Sequence, residues 1–305
     1  MRMSRSYVEY SFNSVDVAGV ESRVSDYFAL LKPRVMSLVV FTGFAGAWVA
    51  PGFDQMHPFI MAVAIFCLAV NAGAAGAINM WYDRDIDKIM NRTRGRPIPM
   101  GRVNEDEALA FGVVLSVFSV LVMAMAVNWV AAGVLAFANF FYVVIYTMWL
   151  KRSTPQNIVI GGAAGAFPPM VGWAAVTGDV SLASIVLFAI IFLWTPPHFW
   201  ALSLYANEDY KRAKIPMMPV ARGMRSTKVQ MVIYSLILFP VTLLPTVLGV
   251  AGMVYGAFAA LLSGFFVWTA VKVLSSDDMK YARAMFGYSV FYLFALFLAV
   301  MIDAS

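Results

Sequence analysis

The 305-residue sequence is short of the residues on which many enzymes and metal proteins depend. It has one cysteine, Cys67, and two histidines, His57 and His198. This excludes a disulfide framework and a cysteine- or histidine-rich metal cluster. No nucleophilic triad and no glycine-rich nucleotide loop following a strand pattern is visible. Carboxylate, amide and basic side chains therefore remain as the candidates for chemistry.

Charge is also scarce. Only 13% of the residues are charged and 61% are hydrophobic, whereas a soluble protein carries about 25% charged residues. The apolar runs are near 20 residues long and do not alternate as barrel strands would. Because only helices or closed barrels satisfy the backbone in lipid, the composition predicts an all-α polytopic membrane protein.

The apolar runs predict nine membrane-spanning helices. Their expected ranges are 33–51, 58–80, 107–127, 129–149, 157–177, 182–205, 227–248, 251–273 and 283–302.

The basic residues alternate between the two sides of these spans. All 22 Lys and Arg lie in the N-terminal segment, at the start of the first span, or in every second connection. The other connections carry isolated acids such as Asp54 and Asp179. By the positive-inside rule, the N-terminus is expected in the cytoplasm and the C-terminus outside. The net charge of +5 then reflects orientation in a lipid bilayer, and nucleic acid is not an expected partner.

The N-terminal segment does not resemble a targeting sequence. It holds Glu9, Asp16, Glu21 and Asp26 within 28 residues and has no long apolar core. Secretory signals have such a core, and mitochondrial transit peptides are poor in acids. We therefore expect a cytoplasmic segment over residues 1–30, a single intramembrane domain over 31–305, and a multi-pass location in a bacterial inner membrane.

An acidic stripe ends the second span. Asn79, Asp83 and Asp87 repeat every four residues and so share one helix face. Carboxylates beside lipid are costly unless cations balance them, and Mg²⁺ takes one or two carboxylates together with substrate phosphates. The alternative is a solvated helix end whose acids pair with nearby basic residues. Asp85 lies on the opposite face and is expected to pair with a basic neighbour.

A second, weaker acidic group follows the sixth span. Tyr205, Glu208 and Asp209 are spaced to share a helix face and could supply a second cation with ligands. Asp83 and Asp209 both open long cytoplasmic connections and lie four spans apart. This spacing suggests two four-helix halves whose loops face each other over one cavity, with a ninth helix completing the bundle.

Two further positions admit both a structural and a functional interpretation. Lys151 and Arg152 end the fourth span, either as orientation anchors or as contacts to a diphosphate. His198 lies within the sixth span, where an ionisable group is a functional candidate. A lone histidine there can equally be a hydrogen-bonded core residue.

At these residues the chain resembles the UbiA-type intramembrane prenyltransferase superfamily. The matching strings are Leu31–Arg34, Asn79–Asp87 with Arg92–Pro97, Thr195–Trp200 and Glu208–Pro219. The resemblance implies a UbiA-type bundle of nine transmembrane helices. It also implies two cytoplasmic loops that bind Mg²⁺ and an isoprenyl diphosphate.

Within the superfamily the strings are most similar to members that farnesylate haem. The implied reaction joins a farnesyl group from farnesyl diphosphate to a vinyl group of haem b, giving haem O. A haem A synthase or terminal oxidase assembly factor would be a further partner. The alternatives are a UbiA-type enzyme with a quinone, chlorophyll or lipid acceptor, and a transporter.

The resemblance also implies roles for individual residues. Asn79, Asp83, Asp87, Glu208 and Asp209 would hold Mg²⁺. Asn79, Arg84, Lys151 and Lys211 would bind the diphosphate, with Asp83, Asp87, Arg84 and Lys151 catalytic. His198 would contact the haem. The second loop departs from the Asp-x₃-Asp of aromatic-acid prenyltransferases, because Tyr205 replaces the first acid. A second Mg²⁺ is therefore left open.

Overall fold

The computed structural model describes residues 22–304, without the side chain of Arg34. Most of the predicted cytoplasmic segment, residues 1–30, lies outside the described residues. Arg2, Arg5 and the acids Glu9, Asp16 and Glu21 lie outside the described residues.

The described part of the chain is almost entirely helical. Its helices are α1 (Val24–Leu30), α2 (Pro33–Trp48), α3 (Pro58–Tyr82), α4 (Arg84–Ile89), α5 (Glu105–Ala126), α6 (Trp129–Ser153), α7 (Asn157–Thr177), α8 (Leu182–Tyr205), α9 (Asn207–Arg212), α10 (Met218–Arg222), α11 (Met224–Val247), α12 (Met253–Leu274) and α13 (Met279–Ile302). A single 3₁₀ turn, Phe53–Gln55, lies between α2 and α3.

Three of the long helices are irregular. The second half of α6, Phe141–Leu150, has π-helical hydrogen bonding, which is uncommon and often marks functional sites. Short breaks divide α7 before Ala163 and Pro168. The regular part of α11 ends at Val241, four residues before Pro245, because proline has no N–H to donate to the carbonyl four residues earlier.

The predicted polytopic fold is confirmed. Within residues 22–304, eight helices are long and apolar enough to cross a membrane, and α1 with α2 makes a ninth span if the bent pair is counted as one. Polar caps account for the differences in boundaries. Asn104 Oδ1 accepts from Asp106 N at 2.8 Å and starts α5 two residues early. Asp278 likewise starts α13 four residues early through Lys280 N.

Helix pairing repeats after four spans. In the first half α3 packs against α5 and α5 against α6; in the second half α8 packs against α11 and α11 against α12. One apolar core joins α8, α11, α12 and α13, and another joins α3, α5, α6 and α7. This arrangement fits the two four-helix halves suggested by the spacing of Asp83 and Asp209, with α13 as the additional helix.

The first span is bent at Lys32. The axes of its two parts differ by 57°, and Lys32 takes a left-handed conformation with φ of 53°. Pro33 opens α2, as suits a residue with no N–H to bond. The bend carries Lys32 over the end of α3 and into the candidate site.

Three glycines bring α2 and α7 into backbone contact. A methyl group on Gly172 would overlap the carbonyl oxygen of Gly43, and one on Gly46 would overlap Pro169. Small residues permit such close approach between membrane helices. The two helices therefore form a tight seam toward the end of the bundle that carries Trp48 and Thr177.

Candidate active site

The predicted acidic stripe forms across a break between two helices. Asp83 ends α3 and precedes α4, yet the i to i−4 ladder continues: Asp83 N donates to Asn79 O at 3.0 Å, and Asp87 N to Asp83 O at 2.8 Å. The three side chains therefore remain on one face. All are buried, with exposed fractions of 4% for Asn79, 0% for Asp83 and 2% for Asp87.

Basic side chains from three other segments neutralise the stripe. Lys151, in the last turn of α6, pairs with Asp83. Arg96 lies 2.6 Å from Asp87, and Lys32 Nζ donates to Asn79 Oδ1 at 2.8 Å. Buried charges persist only when paired and hydrogen-bonded. These contacts therefore explain how two carboxylates can be buried at a membrane edge.

One oxygen of the stripe has no hydrogen-bond partner. Asn79 Nδ2 donates to Asp83 Oδ2 at 2.7 Å and to Thr147 Oγ1 at 3.2 Å. Asp83 Oδ1 is buried and accepts no hydrogen bond from the described residues; Arg152 Nη2 lies 3.5 Å from it. A buried unsatisfied carboxylate oxygen is costly, and such an atom suits a metal ligand.

Protein ligands alone do not complete a metal site in the described part of the chain. Over residues 22–304, no three His, Cys, Asp or Glu side chains lie close enough to hold an ion. The stripe offers two carboxylates and an amide, and Mg²⁺ commonly fills its shell with substrate phosphates and water. The donor set fits Mg²⁺ that binds together with a phosphate-bearing substrate.

Asp85 and Arg84 lie just outside the stripe. Arg152 binds Asp85 through two hydrogen bonds of 2.7 and 2.8 Å, which lowers the pKa of the Asp85 carboxyl below its usual value. The prediction that Asp85 pairs with a basic neighbour is confirmed. Arg84 pairs with Glu105 and lies 5.3 Å from the ring of Trp81. In this arrangement the guanidinium group of Arg84 lies against the first residue of α5.

The connection between α8 and α11 contacts the connection between α3 and α5, but its charged residues face mainly one another. Asn91 Nδ2 donates to Asp209 Oδ1 at 3.2 Å, and Arg212 also pairs with Asp209. Glu208 and Lys211 are both exposed and are paired at 2.8 Å. The loops thus face each other as predicted, with Asp209 at their junction and Glu208 and Lys211 on the outer side.

Apolar contacts hold the two loops together. Ile86 and Met90 of the first loop pack in one cluster with Tyr210, Ile215 and Met217 of the second. Tyr210, Ile215 and Met217 also line the cavity described next. The second loop therefore covers the first mainly through apolar side chains.

A cavity of about 1020 Å³ opens beside the stripe. This volume is at the upper end of the usual range for ligand sites, about 300–1,000 Å³. Near the stripe the described lining residues include four cations, Lys32, Arg92, Arg96 and Lys151, and one carboxylate, Asp87. The excess of positive charge favours a polyanion such as a diphosphate.

Away from this charged end the lining is apolar and aromatic. It includes Tyr142 and Tyr146 of α6, Phe199 of α8, and Phe286 and Phe294 of α13. Such rings favour a nearby cation on their faces, and an apolar wall limits water.

His198 lines the same cavity from α8 and is 9% exposed. Its ring stacks between Trp194, at 4.3 Å between centroids, and Phe286, at 4.7 Å. Its Nδ1 lies 2.6 Å from Ser289 Oγ. His198 is therefore both a hydrogen-bonded residue of the core and a wall of the cavity.

Comparison with known proteins identifies the family. Residues 39–299 match the UbiA prenyltransferase family. The chain belongs to the UbiA prenyltransferase family. The resemblance inferred from the acidic stripe and the neighbouring strings is confirmed, and this chain is an enzyme of that family.

Several relatives of the UbiA family match nearly the whole chain. The protoheme IX farnesyltransferase of Rhizobium johnstonii is 58% identical over 93% of this chain and 90% of that protein. Protoheme IX farnesyltransferase 2 of Mesorhizobium japonicum is 57% identical over 95% of this chain and 94% of that protein.

Solved structures of the family share the fold at low sequence identity. A digeranylgeranylglyceryl phosphate synthase superposes with a TM-score of 0.77 at 17% identity, covering 92% of this chain and 98% of the other. A UbiA homologue from Archaeoglobus fulgidus, bound to DMAPP and Mg²⁺, superposes with a TM-score of 0.67 at 15% identity. The alignment covers 91% of this chain and 99% of the homologue. These similarities establish a UbiA-type bundle for this chain.

Sequence reasoning missed three of the four cations that line the cavity. Lys32, Arg92 and Arg96 received no role, although Lys32 and Arg96 contact the stripe directly. Arg92 and Arg96 lie among several basic residues of one loop, and spacing alone does not distinguish them. For Lys32 the available signal was the following proline, which marks a break before α2.

Proposed function

We propose that this chain transfers the farnesyl group of farnesyl diphosphate to a vinyl group of protohaem IX (haem b), producing haem O. The observation that carries the proposal is the cation-rich end of a 1020 Å³ apolar cavity, beside a buried acidic stripe. Relatives at 58% identity named protoheme IX farnesyltransferase support the choice of donor and acceptor.

The donor's diphosphate would lie against Lys32, Arg96 and Lys151. These side chains already contact the stripe residues Asn79, Asp87 and Asp83, so their charges are held in place before substrate arrives. Preorganised cations stabilise the negative charge that develops on a leaving diphosphate oxygen. The predicted helpers Arg84 and Lys211 bind Glu105 and Glu208 in this structure, and they would have to exchange those partners to assist.

Asn79, Asp83 and Asp87 would hold Mg²⁺ with the diphosphate. Asp83 Oδ1 supplies a free acceptor, and Asp209 lies across the loop junction. When bound, the ion would offset charge on the diphosphate and so weaken the bond to the departing group.

The proposed reaction is a prenyl transfer followed by the addition of water. The bond between C1 of the farnesyl group and the diphosphate oxygen breaks, and the diphosphate leaves with the electron pair. The terminal vinyl carbon bonds to C1, which places positive charge on the carbon next to the porphyrin. Water bonds to that carbon and loses a proton to solvent. Tyr142 and Tyr146 line the cavity and would shield the allylic cation from other water.

The acceptor would enter beside α8 and α13. His198 forms this wall together with Phe286 and Phe294, and flat aromatic side chains suit a porphyrin face. The basic connections would face the cytoplasm of a bacterial inner membrane, so both charged substrates would be met on that side.

Membranes containing the protein, incubated with farnesyl diphosphate, haem b and Mg²⁺, test the proposal. Mass spectrometry of extracted haem should show haem b plus a farnesyl and a hydroxyl group. Asp83→Asn is the inactive control, and Leu261→Ala, a change at an exposed residue of α12, is the neutral control. Release of diphosphate without a haem product would instead favour a UbiA-type enzyme for a quinone or lipid acceptor.

A further inference from the structure

The far end of the cavity is lined by buried residues from four helices. On α2 the lining extends to Thr42, on α3 to Leu68, on α6 to Leu135 and on α7 to Val171. We call these four residues the cavity floor. Each is at most 3% exposed.

The cavity floor is supported by the glycine seam between α2 and α7. Thr42 and Val171 immediately precede Gly43 and Gly172, whose backbones are in contact. Leu68 also packs directly on Gly43. Since backbone cannot move aside as a side chain can, the cavity floor is rigid.

The distance from the charged end to the cavity floor can be counted along α2 and α3. Thr42 lies ten positions after Lys32 on α2, and Leu68 lies eleven positions before Asn79 on α3. At a rise of about 1.5 Å per residue this is about 15–17 Å. With carbon–carbon bonds of about 1.5 Å, a twelve-carbon farnesyl main chain extends about 14 Å. A geranylgeranyl chain extends about 19 Å and a geranyl chain about 9 Å on the same basis.

The wall between the two ends is compatible with an apolar tail although it contains Asn71 and Asn139. Asn71 Nδ2 donates to Ser119 Oγ at 2.9 Å. Asn139 Nδ2 donates to Ser116 Oγ at 3.0 Å and to Asn71 Oδ1 at 3.2 Å. These amides bond to one another and to α5, so an isoprenoid tail passing them leaves no hydrogen bond broken.

The opposite side of the cavity cannot act as a stop. There Val35 of α2 and Val290 and Phe291 of α13 are substantially exposed, so that side opens toward lipid and gives a wide acceptor a way in. The closed side, lined by α3, α6 and α7, is left for the donor's tail.

We propose that the cavity floor, and Leu68 above all, sets the donor length at three isoprene units. This inference rests on the proposed function for the identity of the donor. A geranyl tail would leave the space above Leu68 empty, and a geranylgeranyl tail would collide with the glycine-supported floor. Both lose binding energy relative to farnesyl.

The test is a competition binding assay without haem. Hydrolysis-resistant geranyl, farnesyl and geranylgeranyl thiolodiphosphates each displace labelled farnesyl diphosphate from the protein, and their affinities are compared. Wild type should prefer farnesyl over geranylgeranyl by about tenfold or more, since small size differences in an apolar pocket have effects of that order. Leu68→Ala should reduce that preference at least tenfold. Leu261→Ala, an exposed leucine of α12, is the matched control.

A second variant tests the same idea by raising the floor. Ala72 lines the cavity seven residues from Asn79, about 10 Å along α3. Ala72→Phe should lose farnesyl binding and retain geranyl binding. The proposal would be overturned if Leu68→Ala kept the same preference for farnesyl over geranylgeranyl as the Leu261→Ala control. It would also be overturned if Ala72→Phe lost binding of all three analogues equally. Since the assay contains no haem, normal farnesyl selectivity without a haem product would refute the proposed acceptor and leave the length assignment standing.

Discussion

Lys32 Nζ donates a hydrogen bond to Asn79 Oδ1 at 2.8 Å, although 47 positions separate the two residues in the chain. The contact joins the bend of the first span to the first residue of the acidic stripe. It places a cation at the charged end of the cavity, where the proposed mechanism needs one before the donor arrives.

Replacing Lys32 by methionine should weaken the donor site without disturbing the bend. We expect kcat/KM for farnesyl diphosphate to fall about 100-fold, because losing one member of a buried charged contact costs about 2–5 kcal/mol. Steady-state kinetics on purified enzyme would measure this. Lys280→Met is the control, since Lys280 is exposed and pairs with Asp278 at the start of α13. Equal losses in both variants would show that general charge is responsible.

Asp83→Asn and Asp87→Asn should each lower kcat by about 10³-fold, because each removes a carboxylate that would hold the Mg²⁺ offsetting charge on the departing diphosphate. Membrane insertion should be retained, since asparagine is nearly isosteric with aspartate, while Tm should fall because Lys151 or Arg96 loses the carboxylate that pairs with it. Asp85→Asn provides a matched control two residues away, where the carboxyl is exposed and held by Arg152. Near-normal turnover in either stripe variant would contradict the metal assignment.

His198→Phe separates the two roles of this histidine. Phenylalanine preserves the stacking on Trp194 and Phe286 while removing both ring nitrogens. We expect the KM for haem b to rise about tenfold, as loss of one polar contact costs about 1–2 kcal/mol, with the KM for farnesyl diphosphate unchanged. A titration followed by haem absorbance would report a direct contact with iron. If both KM values stay at the wild-type level, His198 is a packing residue only.

Much of this architecture was predictable because it follows from local pattern. The apolar runs gave nine spans, and the repeat of Asn79, Asp83 and Asp87 gave one buried stripe, which survives the break between α3 and α4 because the backbone ladder continues through Asp83. Burial of the stripe follows from cations that approach it from elsewhere in the fold.

The identity of those cations was not predictable from spacing. Lys32 reaches Asn79 only because the first span bends by 57°, and Arg96 reaches Asp87 because its loop folds back. Conversely, Glu208 and Lys211 were predicted to bind Mg²⁺ and the diphosphate. They lie three residues apart and form a salt bridge with each other on the outer surface. Tertiary packing decides which charges meet a substrate.

The glycine seam beneath the cavity floor gives the last prediction. Gly172→Ala would place a methyl group against the carbonyl oxygen of Gly43, and backbone cannot yield as a side chain can. The variant should lower Tm by roughly 5–10 °C, since overpacking costs about 1–3 kcal/mol or more. Gly133→Ala in α6 is the control: nothing lies within 4 Å of the added carbon, and alanine favours a helix by up to about 1 kcal/mol. Differential scanning fluorimetry of both variants measures the effect.

If α2 and α7 separate to accept the methyl group, the cavity floor also loses its support, so Gly172→Ala should bind geranylgeranyl analogues better relative to farnesyl. An unchanged Tm would mean that the two backbones are not in contact and that the floor rests on side chains alone.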